Sequence, residues 1–232
     1  MSAAAIIKEK VELAVADGTR MAGYVARPKQ AAAHSGLLVF QEAFGVNHHI
    51  RDVAERFAAL GYVAIAPELF HPTAPPGFEA SYADFPAVIE HYQAVATETA
   101  EADVRSAYEW LRSNLRAKAS EISCVGFCLG GRILFIANST VPLRAAVSFY
   151  GGGIAPGLLD GASKFEAPSL LFVWGGLDKH ITLEQRRAVI EVLSAHQKIY
   201  VNTEFSRADH GFFCEPHSAG QAWVLTLEFL RS

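Results

Sequence analysis

Three cysteines in 232 residues are too few, and the wrong parity, for a disulfide framework. Such low cysteine usage suits a reducing compartment. Charge is scarce as well: Asp, Glu, Lys and Arg make up 19% of the chain, and the net charge is −4. No basic stripe appears, so nucleic acid is not an expected partner. Long apolar runs are also missing. None approaches the roughly 18 residues of a membrane span, and Ala3-Ala4-Ala5-Ile6-Ile7 is too short for the apolar region of a signal peptide. The expectation is a soluble cytoplasmic protein that does not engage a membrane. No internal repeat and no interdomain linker is visible, so residues 1–232 are expected to form a single domain. With 51% hydrophobic residues there is ample material for its core.

What is present alternates between strand and helix patterns. Lys10 to Val15 and Met21 to Ala26 flank the turn Asp17-Gly18 and predict an antiparallel hairpin. Gly36 to Phe40 and Tyr62 to Ala66 are continuous apolar runs of the kind buried on both faces. Between them Asn47 can cap a helix from His48 to Leu60, with Gly61 as its stop. Phe70 to Gly77, rich in proline, predicts a loop; Tyr82 to Val95 is weakly helical. Thr97 to Leu115 carries a clear stripe of Val104, Ala107, Tyr108, Leu111 and Leu115. Further strands follow at Glu121–Val125, Ala145–Tyr150, Ser169–Trp174 and Ile199–Phe205. Helices are predicted from Arg132, from Thr182 to Leu193 and over about Gln221–Leu230. This alternation predicts an α/β fold: a mostly parallel twisted sheet, helices on both faces and an antiparallel N-terminal hairpin.

The chain is organised around Gly126-x-Cys128-x-Gly130-Gly131, set between a strand pattern and a helix pattern. That is the context of a nucleophile elbow, with cysteine in place of serine. The glycines are needed because the turn is tight and side chains beside the nucleophile would collide. A thiol there faces a helix N-terminus, which favours thiolate. Asp178 and His210 follow later strands, giving the α/β-hydrolase order of nucleophile, acid and histidine. In these roles Cys128 attacks a carbonyl, His210 moves the proton, and Asp178 fixes the imidazole tautomer. Backbone N–H groups of Leu129 and Ala43 are the expected oxyanion donors. Cys124 and Cys214 are expected in the core. His180 and the pair His48-His49 are rivals of His210, which is preferred for its place after the last strand. Metal binding lacks a completing Cys-x-x-Cys or His-x-x-x-His pair, and the glycine spacing is not a dinucleotide fingerprint.

Several segments together resemble one family. Gln41-Glu42-Ala43-Phe44-Gly45-Val46-Asn47, Gly61 to Phe70, Gly126 to Gly131, Tyr150-Gly151 and His210-Gly211-Phe212 are similar to dienelactone hydrolase, also called carboxymethylenebutenolidase. The resemblance runs from about Val11 to the final helix. It implies a Cys128–His210–Asp178 triad that hydrolyses a small-molecule lactone or ester, without cofactor or metal; the sequence leaves monomer and homodimer both open. It also implies that Glu42 contacts the resting thiol and is displaced by substrate, a gate on thiolate formation. In one place the sequence departs from the family: His210 is followed by Gly211-Phe212-Phe213-Cys214-Glu215, without the arginine that holds a substrate carboxylate. A pocket bearing Phe44, Tyr150 and Phe212 would instead suit a less charged ester, as in a carboxylesterase or thioesterase. A member of the fold that binds a small ligand without turnover is the other alternative.

Overall fold

The computed structural model describes residues 5–29, 35–114, 121–165, 169–214 and 216–231. Leu115, the last residue of the predicted helical stripe, lies outside them. The chain divides into two compact units, Met1–Ser123 and Cys124–Ser232.

In the first unit, β1 (Ile6–Ala14) and β2 (Arg20–Pro28) form the expected hairpin, in antiparallel register from Ile6↔Pro28 to Ala14↔Arg20. Asp17 builds its turn. The carboxylate Oδ1 accepts from both the amide and the hydroxyl of Thr19, and Gly18 supplies φ +88°. β2 pairs antiparallel with β4 (Val63–Pro67), and β4 pairs parallel with β3 (Gly36–Phe40), giving the order β1-β2-β4-β3. Both β3 and β4 are buried along their whole length, as continuous apolar runs require. α1 (His48–Ala59) begins where Asn47 accepts from the amide of Ile50, and it buries Ile50, Val53, Ala54, Phe57 and Ala58. α3 (Thr97–Asn114) buries Val104, Ala107, Tyr108 and Leu111.

The weakly helical stretch between them differs from expectation. Its regular part is a 3₁₀ turn at Phe85–Val88 followed by α2 (Ile89–Ala94), so Tyr82 stands outside the helix. The cause is local: Pro86 sits in the first turn, and the Asp84 carboxylate accepts from the amide of Ala87.

In the second unit, β5 (Ile122–Phe127), β6 (Ala146–Phe149), β7 (Leu170–Gly175) and β8 (Tyr200–Phe205) run parallel in chain order; the unit boundary falls inside β5. β5 to β7 are fully buried, whereas β8 is partly exposed. The helices are α4 (Leu129–Thr140), α5 (Leu183–Ala195) and α6 (Pro216–Arg231). α5 opens on a capping box, in which Thr182 and Gln185 satisfy each other's backbone amides. Among the described residues no helix is long and apolar enough to cross a membrane.

Candidate active site

The turn from β5 to α4 holds Cys128 at φ 53°, ψ −110°, a backbone conformation that L-residues seldom adopt. Its neighbours explain why it stays there. A Cβ on Gly126 would lie 2.0 Å from the Gly130 carbonyl oxygen, and one on Gly131 would lie 2.6 Å from Gly151 Cα. Only glycine lets these backbones approach so closely. The Cys128 amide donates to the Phe149 carbonyl at 3.0 Å, and its carbonyl accepts from the amides of Gly131 and Arg132. The thiol is half-buried at the start of a 12-residue helix, and Leu129 is the first residue of that helix.

The other two cysteines differ from Cys128 and from each other. Cys124 is fully buried, and desolvation pushes its thiol well up, as befits a core residue. Cys214 was expected in the core too, but it is exposed. It ends the short 3₁₀ turn Phe212–Cys214, which buries the two phenylalanines and turns the cysteine outward.

The turns after β7 and β8 carry Asp178 and His210. They are stitched together by backbone bonds from Gly176 N to Phe205 O and from Leu177 N to Ala208 O, each 2.9 Å. His210 Nδ1 lies 2.9 Å from Asp178 Oδ2. The other oxygen, Oδ1, accepts from the amides of His180 and Ile181 at 2.7 and 3.2 Å. Burial works to raise the Asp178 pKa, but these hydrogen bonds outweigh it and hold the carboxyl below its usual range. At His210 burial works downward. Hydrogen bonds to Asp178 and Cys128, with their negative charges, overcome it and push the imidazole up to about 10. That direction favours the charged imidazolium form of His210.

His180 and His210 were rivals from sequence, and the geometry separates them. The His210 ring takes the carboxylate; His180 contributes its backbone amide, and its exposed ring stands edge-on at 5.0 Å from that of His210. Tyr150 flanks the same ring at 5.1 Å and packs on Phe212 at 5.3 Å. Tyr150 and Phe212 are both completely buried, so they back the histidine from within the core.

Glu42, Ala43 and Phe44 belong to the first unit, in the turn that follows β3. Glu42 and Ala43 are buried, and Phe44 is half-buried. The Gln41-Glu42-x-Phe44-Gly45 segment has clear local work to do. The Gln41 side chain accepts from the Leu69 amide at 3.1 Å and donates to the Glu42 carbonyl at 3.3 Å. Gly45 has φ +78°, and a Cβ there would lie 2.2 Å from the Phe78 carbonyl oxygen. The Glu42 carboxylate Oε2 accepts from the Tyr82 hydroxyl at 2.5 Å, and the Tyr82 ring packs against Phe44 at 4.7 Å. In the same unit His48 is exposed at the start of α1; His49 is half-buried, and burial lowers its pKa. Tyr82 was not singled out from sequence. It stands at the start of a segment with only a weak helical pattern, 40 residues from its carboxylate partner, and nothing local signals the contact.

A cysteine at a strained strand-to-helix turn, with Asp and His on later strand ends of a parallel sheet, defines an α/β-hydrolase. The chain belongs to the dienelactone hydrolase family, whose model matches residues 21–232. It is 35% identical over 213 residues to a Synechocystis sp. protein named "Putative carboxymethylenebutenolidase", covering 88% of this chain and 85% of that one. A Bradyrhizobium sp. protein named "Probable 2-oxo-3-(5-oxofuran-2-ylidene)propanoate lactonase" is 28% identical and is matched over 100% of this chain and 96% of its own. The crystal structure titled "Putative Dienelactone Hydrolase" from Klebsiella pneumoniae subsp. pneumoniae is similar with a TM-score of 0.87 and 29% identity, over 98% of this chain and 99% of that one.

Proposed function

We propose that this chain is a cysteine-dependent hydrolase of a lactone or ester bond, with residues 1–232 acting as one hydrolase domain. The observation that carries the reading is the His210–Asp178 contact at 2.9 Å, with Cys128 hydrogen-bonded to the same imidazole on its strained turn. The Cys128 thiolate attacks the carbonyl carbon, and the carbonyl π electrons move to its oxygen. The backbone N–H groups of Leu129 and Ala43 stabilise that oxyanion. Collapse of the intermediate breaks the C–O bond, and the His210 imidazolium gives its proton to the departing alkoxide. Neutral His210 then takes a proton from water, the hydroxide attacks the thioester, and Cys128 leaves as thiolate with the imidazolium restored. Asp178 keeps the imidazole oriented and stabilises its charged form throughout.

Glu42 is read as a restraint on the thiol that substrate relieves. Support comes from its burial at the end of β3, in the segment that resembles the family. The absence of an arginine after His210 and the aromatic ring of Phe44 favour a substrate of low charge. Assay with p-nitrophenyl acetate and a panel of lactones tests the reaction. Turnover by wild type, lost in Cys128→Ala and in His210→Ala, is expected. Undiminished turnover in Cys128→Ala would overturn the reading.

A further inference from the structure

We propose that Arg186 is a positioning residue for Asp178 and His210, a clamp that holds the two turns carrying them at one spacing; this rests on the Cys128–His210–Asp178 reading above. Arg186 stands in the first turn of α5, and that turn is firmly begun. The capping box of Thr182 and Gln185 closes it, and the Arg186 amide donates to the Thr182 carbonyl at 3.1 Å. From there Arg186 Nη1 donates to acceptors on two neighbouring strands: the Gly175 carbonyl at 3.2 Å and the Glu204 carboxylate Oε2 at 2.7 Å. Gly175 is the last residue of β7, and Glu204 is the last but one of β8.

Each acceptor stands at the root of one of those turns. The Gly175 carbonyl also accepts from the Asp178 amide, at 3.3 Å, so the guanidinium and the acid's own turn share one oxygen. Glu204 is followed by Phe205, whose carbonyl accepts from the amides of Gly176 and Ala208 and so begins the turn that leads to His210. The two turns touch: a Cβ on Gly175 would lie 2.7 Å from the Ala208 carbonyl oxygen. At its far end the Asp178 carboxylate holds the amides of His180 and Ile181, just before the Thr182 cap. The chain from Gly175 to Arg186 therefore closes on itself, and Glu204 ties that closed loop to β8. The clamp is not a large source of stability. The Glu204 side chain is 47% exposed, and an ion pair so open to water contributes little. What it sets is position, and a small displacement of a catalytic pair is costly in rate.

The test combines steady-state hydrolysis of p-nitrophenyl acetate, thermal melting and an NMR titration of His210. The proteins are wild type, Arg186→Met, Glu204→Ala, their double variant, Val189→Ala and Cys128→Ala. Arg186→Met keeps the bulk of the side chain and removes the donor. Its kcat should fall about five- to thirtyfold, with KM within about twofold of wild type, and the His210 midpoint should move down. Val189, buried on the same helix, supplies the structural control. Val189→Ala should lower the melting temperature without moving kcat or the midpoint. The double variant should be no slower than Arg186→Met, because the two side chains act as one unit. A kcat and midpoint in Arg186→Met no different from those of Val189→Ala would overturn the clamp alone, and so would losses that multiply in the double variant. Undiminished turnover in Cys128→Ala would overturn the triad reading, and the clamp with it.

Discussion

The Asp178 carboxylate serves two histidines at once: its Oδ2 lies 2.9 Å from the His210 imidazole, and its Oδ1 accepts the amide of His180 at 2.7 Å. One buried side chain thus fixes both the orientation of His210 and the path of the loop whose next ring abuts it.

The first consequence concerns protonation. The His210 imidazole is pushed up to about 10 and Asp178 is held below 3.8. Stabilisation from the raised histidine is complete below its ordinary value of 6.5 and is lost as pH climbs through about 10. Stabilisation from the depressed carboxyl is present above 3.8 and is lost as pH falls through its lowered value. The melting-temperature difference between wild type and Asp178→Asn should therefore be widest between those limits and shrink beyond either. In an NMR titration, the His210 midpoint should fall in Cys128→Ala, since one of its two hydrogen-bond partners is gone. An unmoved midpoint would deny the thiol a part in the shift.

His180 should matter to turnover through its ring. His180→Ala keeps the backbone amide on Asp178 but removes the edge-on contact with His210. Aromatic pairs of this kind contribute about 0.5–1.5 kcal/mol, so kcat should fall by roughly two- to tenfold. His180→Phe should recover most of the loss. Equal kcat in all three proteins would show that the contact is incidental.

The elbow glycines should be intolerant in proportion to what surrounds them. Gly126→Ala would drive its Cβ into the Gly130 carbonyl, which is backbone and cannot swing aside. A destabilisation of at least about 1–3 kcal/mol is expected, read as a lowered melting temperature. Gly157 has nothing within 4 Å of a built Cβ. Gly157→Ala should stay within about 0.5 kcal/mol of wild type.

These residues also mark how far the sequence could be read. The hairpin, the buried parallel strands and the elbow were legible because their signals are local: alternation, apolar runs, and glycines where a turn admits no side chain. Asp178 and His210 were legible because strand ends in an α/β sheet are where such residues gather. The contact of Tyr82 with Glu42 was not legible, since it joins residues 40 apart across irregular chain. Pro86 and Asp84 broke the helix expected over Tyr82 to Val95, a case of local stereochemistry overriding a weak pattern. The exposure of Cys214 was missed for a similar reason: a single 3₁₀ turn decides which way it points, and composition carries no record of that.

The central claim is that Cys128 forms a covalent acyl intermediate. Rapid acid quench of the enzyme with a p-nitrophenyl ester, followed by peptide mass spectrometry, measures it directly. The account predicts an acyl mass added to the peptide that contains Cys128, accumulating further when His210→Ala slows deacylation, and absent in Cys128→Ala. Turnover without any adduct on Cys128, or an adduct confined to another residue, would contradict it.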